Sequence, residues 1–134
     1  MGKSLIQTVN QSTQTVADNS ILNLGSVQRR FGCNLRLSGN SIEVLGEGYY
    51  LIDAKIIASP TTAGDVTVAI YKNGEQITGA ISSFTTSAAA QVVTLSIQST
   101  IRLGCACSGA DSLTVVLVEG AGDVTNVSVR VEKA

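Results

Sequence analysis

The chain has 134 residues and a formal net charge of −1, with 44% apolar and only 14% charged residues. That length suits one domain with a sizeable core, and charge so far below the usual quarter favours an oligomer or particle subunit, whose contact faces need few charges. No His, no Trp, 4% aromatics and nine scattered Lys and Arg exclude a nucleic-acid footprint, a His-based catalyst or metal centre, and a ring-stacking platform.

Strand periodicity runs through most of the chain, with Gly, Asn, Ser and Asp as punctuation, which predicts an all-β sandwich. The opening "MGKSLIQTVNQ" has no apolar h-region, and no run reaches the length of a membrane span, so neither a signal peptide nor a transmembrane segment is expected. Residues 1–15 read as an N-terminal arm or a first strand, and 16–134 as the sandwich domain. The first predicted strands are Ser4–Val9 and Ser20–Leu24, and Arg29-Arg30 follows as a solvated loop or a grip on an acidic partner. Cys33–Leu37 and Ser41–Val44 flank "SGN", and Tyr49–Ala58 is long. Val66–Lys72 pairs with Gln76–Ser82, and Gln91–Gln98 continues after a kink into Ile101–Cys107. Leu113–Val118 and Val124–Val131 close the chain.

The stretch "VTVAIYKNGEQI" is a hairpin signal, because Asn73-Gly74 supplies the two positive-φ residues of a type I′ turn. Alternation puts Val66, Val68 and Ile70 on one face of it. Two other strands are apolar on both faces. "YYLIDAKIIA" sets Tyr50, Ile52, Ala54 and Ile56 against Tyr49, Leu51 and Ile57, the latter surrounding Asp53 and Lys55. "LTVVLV" sets Leu113, Val115 and Leu117 against Thr114, Val116 and Val118. A sandwich core covers one face of each, so the second face is expected to meet another subunit. Tyr49, Leu51, Asp53, Lys55, Ile57, Thr114, Val116 and Val118 are therefore the subunit-interface candidates.

Chemistry-bearing constellations are few. Cys33, Cys105 and Cys107 read as reduced core thiols, with a bridge from Cys33 to one of the pair as the alternative; an odd count argues against a closed disulfide framework. A fourth ligand for a metal is missing. Glu43, Glu47 and Asp53 lie close in sequence with no base, nucleophile or metal cluster beside them, so no catalytic residue, cofactor or metal is expected. "AGDVT" occurs at Ala63–Thr67 and Ala121–Thr125, where shared turn chemistry explains it: Gly bends, and Asp bonds its own backbone. One Asp per loop falls far short of a Ca²⁺ site.

"GEGYYLIDAKI" and "VTVAIYKNGEQI", in that order and spacing, resemble the Gly-aromatic strand and the "ALYKNG" turn of tumour necrosis factor-like jelly rolls, particularly their complement globular-head branch. The resemblance covers roughly residues 40–134 and implies a jelly roll of about ten antiparallel strands that assembles as a trimer. It also implies that the Gly-aromatic strand and the next-to-last strand share the sheet lining the trimer axis. No collagen-like Gly-X-Y repeat is present. The whole chain, including "QTVNQSTQTVADNSI", "VQRRFGCNLRLSGN" and "VTNVSVRVEKA", is similar to small virion proteins of tailed phages.

Together these imply a non-enzymatic, homotrimeric decoration protein on a phage capsid, made in the host cytoplasm and held at the virion surface. Its partner would be the major capsid protein or another virion protein, with no nucleic acid and no membrane. The alternative is a receptor- or carbohydrate-binding module of a tail or fibre.

Overall fold

The computed structural model describes residues 4–103 and 111–134. Among them are twelve strands and no helix. In chain order these are β1 (Leu5–Asn10), β2 (Gln14–Val16), β3 (Ser20–Ile21), β4 (Ser26–Phe31), β5 (Leu35–Ser38) and β6 (Ser41–Val44). There follow β7 (Gly48–Pro60), β8 (Gly64–Lys72), β9 (Glu75–Thr86), β10 (Val93–Leu103), β11 (Asp111–Glu119) and β12 (Gly122–Lys133).

They form two antiparallel sheets. Sheet A has the order β10-β7-β12-β1-β4, with β2 also paired to β12; sheet B has the order β5-β6-β11-β8-β9, with β3 also paired to β11. The long strands β7, β8, β11 and β12 feed alternate residues into the space between the sheets, as the two-residue period requires, whereas β9 buries only Ala80 and Thr86. Tyr50, Ile52, Ala54 and Ile56 of β7 meet Val66, Val68 and Ile70 of β8 and Leu113, Val115 and Leu117 of β11 in one core cluster. Burying each large aliphatic side chain there stabilises the fold by about 1.5–3 kcal/mol before entropy is counted. Leu22 and Leu24, fully buried in the connection from β3 to β4, fasten that crossing to the core.

The hairpin forms as the sequence predicts. Lys72 opposes Glu75, and Asn73 (φ 52) and Gly74 (φ 86) are the two turn residues. The predicted kink before Ile101 is absent: β10 keeps unbroken register with β7 from Val93↔Ala58 to Leu103↔Gly48.

Other expectations are corrected. Arg29-Arg30 lies on a strand, not in a loop. The sequence "SVQRRF" shows no alternation because β4 is an edge strand exposed along its whole length, paired in the sheet to β1, with Arg30 Nε donating to the Leu35 carbonyl of β5 at 2.7 Å. Cys33 is an exposed free thiol between β4 and β5 and not a core residue. Cys105 and Cys107 lie outside the described residues. β7 and β11 belong to different sheets, so the next-to-last strand does not share the sheet of the Gly-aromatic strand. β12 takes that place beside β7, because its bulged strand matches β7 from Gly122↔Pro60 to Lys133↔Tyr50.

The repeated "AGDVT" segments open β8 and β12 with one device. Asp65 Oδ1 accepts the Thr85 hydroxyl at 2.6 Å, and Asp123 Oδ1 accepts the Thr15 hydroxyl at 2.8 Å. Each pair sits directly across neighbouring strands. The aspartates thus bond a cross-strand threonine where bonding to their own backbone was expected.

Candidate functional site

With the core filled from both sheets, the surfaces left for function are the two outward faces, the strand edges and the loops. The outward face of sheet A carries Tyr49, Leu51, Asp53, Lys55 and Ile57 of β7. Its register builds two adjacent rows. Thr100, Leu51, Glu132, Leu5 and Phe31 cross the sheet in one, and Gln98, Asp53, Arg130, Gln7 and Arg29 in the next. Tyr49 is 58% exposed, Phe31 52% and Leu51 39%. An aromatic and aliphatic band therefore lies open along one end of this face.

Next to that band the face turns polar. Arg130 Nη2 and Asp53 Oδ2 form an ion pair at 2.7 Å across β12 and β7. Around it a shallow depression of about 360 Å³ is lined by Gln7, Lys55, Ser96, Gln98 and Ser128. Asp53 pairs with Arg130 across the strands and not with Lys55 along its own. An apolar band and a fixed ion pair thus lie side by side on this face.

Thr114 and Val116 point the other way, from the outward face of sheet B, and Val118 sits in the bulge where β11 shifts register against β8. Val116 retains only 6% exposure. It sits in register between Ile21 of β3 and Ala69 of β8, and Ala69 faces Ile81 of β9. The chain itself therefore covers Val116, so its apolar character calls for no second subunit. The eight interface candidates are divided between the two sheets, and no single flat contact contains them all.

The three neighbouring acids are also parted. Glu43 bonds Arg36, Glu47 lies 3.7 Å from Arg102, and Asp53 holds Arg130. Each carboxylate is matched to a different arginine, and they do not form an acid pair or triad. Among the described residues no group of three or more His, Cys, Asp or Glu is placed to hold a metal, and no helix is long and apolar enough to cross a membrane.

Behind the face, Tyr50 is fully buried and its hydroxyl donates to the Gly46 carbonyl at 2.8 Å. Burial pushes this phenol above its ordinary value. The bond ties the loop before β7 to the strand. A second concavity of about 520 Å³ opens beside the hairpin tip, between Lys72, Asn73, Glu75, Gln76 and Ile77 on one side and Ile101 and Arg102 on the other.

Leu5, Phe31 and Arg130 are the members of the sheet A face that sequence reasoning missed. The outward parity of Leu5 and Arg130 is visible in "LIQTVN" and "VSVRVE", whereas that of Phe31, in the unalternating "SVQRRF", is not; their neighbours become visible only when β1, β4 and β12 pair.

No protein-family model matches the chain, and no curated protein matches it in sequence. Its fold, in contrast, is well represented among solved structures. Murine APRIL superposes with a TM-score of 0.80 at 13% identity, covering 98% of this chain and 99% of that one. The globular domain of the zebrafish complement 1qA protein gives 0.70 at 7% identity, covering 94% of each. The vertex protein P5 of PRD1 gives 0.66 at 12% identity, covering 97% of this chain and 96% of that one. The chain has the tumour necrosis factor-like jelly-roll fold.

Proposed function

We propose that the chain is a structural protein of a phage virion, acting as a homotrimer whose subunits meet through the outward face of sheet A. The observation that carries this reading is the exposed band of Tyr49, Leu51 and Phe31 beside the Arg130–Asp53 pair. A lone chain leaves that band in water; a trimer covers it. The shared fold with a vertex protein of PRD1 supports a place on a particle. Asp53, Lys55 and Ile57 would lie within the contact, whereas Thr114, Val116 and Val118 would lie on sheet B, away from it. The proposed partner is the major capsid protein or another virion protein. Many weak contacts from three copies sum over a lattice, and binding only the assembled lattice stabilises it.

The test has two stages. Light scattering on the purified protein is expected to give the mass of three chains, and Leu51→Glu the mass of one. The wild-type protein is then expected to sediment with phage heads that lack it. A monomeric wild type refutes the assembly. A trimer that leaves heads untouched refutes the lattice role and favours the second reading, a receptor- or carbohydrate-binding module, for which the concavity beside the hairpin tip is the supporting feature.

A further inference from the structure

We propose that Asn73 is a deamidation site held shut by its own hydrogen bonds, and that its conversion irreversibly loosens the hold of β11 on the hairpin tip. Asn73-Gly74 is the one asparagine–glycine step in the chain. Glycine has no side chain to shield its backbone nitrogen, so that nitrogen can attack the neighbouring Asn73 Cγ. A bond forms from the Gly74 nitrogen to Cγ, the nitrogen gives up its proton, and Nδ2 leaves as ammonia. Water then opens the cyclic imide at either carbonyl, giving aspartate or isoaspartate at position 73. The balance is amide plus water to acid plus ammonia, and no oxidant or reductant is required.

The fold places three hydrogen bonds in the way. The Asn73 backbone N–H donates to the Ser112 carbonyl at 2.8 Å, and the Ser112 N–H donates to Asn73 Oδ1 at 2.8 Å. Asn73 Nδ2 donates to Asp111 Oδ1 at 2.9 Å. The side chain therefore extends the β8–β11 ladder by one step beyond Leu113↔Lys72. Both heavy atoms of the amide are committed to β11, and attack by Gly74 requires the tip to open first. The rate in the folded protein is then the chemical rate multiplied by the open fraction.

Conversion removes one of the three bonds that closed the tip and sets a repulsion in its place. The Nδ2 donor becomes a carboxylate oxygen facing the Asp111 carboxylate, and like charges at that spacing repel. The isoaspartate product also adds a backbone carbon to a two-residue turn whose geometry tolerates none. The tip is then held more weakly on β11, beside the concavity wall of Lys72, Gln76 and Ile77.

The experiment follows conversion at position 73 by peptide mapping, with the full chain incubated at mildly alkaline pH, folded or in urea. Folded protein is expected to convert at least about tenfold more slowly. Asp111→Ala, still folded by circular dichroism, is expected to convert several-fold faster than wild type. Asn73→Asp is expected to melt at a lower temperature than wild type. Equal rates in the folded chain and in urea, or an Asn73→Asp variant that melts with the wild type, would overturn the proposal; the urea comparison needs no variant to fold.

Discussion

Replacing Thr8 by valine should make this protein more stable, and the size of the gain can be worked out from its surroundings. Thr8 lies on β1, in register with Val129 of β12, with its side chain turned into the core at 0% exposure. Its hydroxyl oxygen has no hydrogen-bond partner among the described residues. A buried, unpaired hydroxyl costs about 1–3 kcal/mol. Valine has nearly the same shape and removes that cost, while the added methyl contributes about 0.8 kcal/mol of burial. We expect Thr8→Val to stabilise by about 2 kcal/mol, which for a chain of this length raises Tm by roughly 8 °C. Urea melts followed by circular dichroism should show a higher midpoint with an unchanged slope. Thr8→Ala also discards the hydroxyl but leaves a void, and should fall about 2 kcal/mol below the valine variant. If Thr8→Val is less stable than wild type, the hydroxyl is satisfied, by a trapped water for example, and the reasoning fails.

Other expectations test the remaining parts of the molecule. Tyr50→Phe loses the bond to the Gly46 carbonyl and should cost about 1 kcal/mol at neutral pH. The folded state raises the Tyr50 phenol above its unfolded value near 10, so it holds a proton that the unfolded chain has released. Stability should therefore be flat in this respect below about pH 10 and fall above it; urea melts across that range should show a shallower fall for Tyr50→Phe. Gly122→Ala would bring a methyl carbon to 2.4 Å from the Ser59 carbonyl oxygen and 2.7 Å from Pro60 Cα, both backbone atoms. A loss above about 3 kcal/mol, or no soluble protein, is expected and is read by expression and melting. Asp53→Ala separates a lone chain from a trimer. With side chains 47% and 36% exposed, the Arg130–Asp53 pair is worth about 0–1 kcal/mol on an open surface. Covered by a neighbouring subunit, breaking it costs about 3–5 kcal/mol, so scattering against concentration should show dissociation.

Local pattern carried a large part of the fold. Asn73-Gly74 specified its turn because few residue pairs accept two positive φ angles in succession. Val66, Val68 and Ile70 faced inward because a strand alternates with a period of two whatever its neighbours. The "GEGYYLIDAKI" and "VTVAIYKNGEQI" segments pointed to the tumour necrosis factor-like jelly roll that the structure displays. The exposed strand "SVQRRF" escaped notice because an edge strand wet on both faces leaves no alternation to find.

What the chain alone determined is which residues turn, which alternate, and which side of each strand is apolar; these are set by backbone sterics and side-chain period within a few residues. Which strands become neighbours was decided only by tertiary pairing. Alternation made β7 and β11 both apolar on two faces and the family resemblance implied one shared sheet, but hydrogen bonding set them in opposite sheets, with β12 beside β7. Val116 turned out to be covered by Ile21 and Ala69 of its own chain. Asp53, for which the sequence offered no partner, found Arg130 at a separation of 77 residues. A side chain's face is a local property, whereas its partner depends on which distant segments the whole core can bury together.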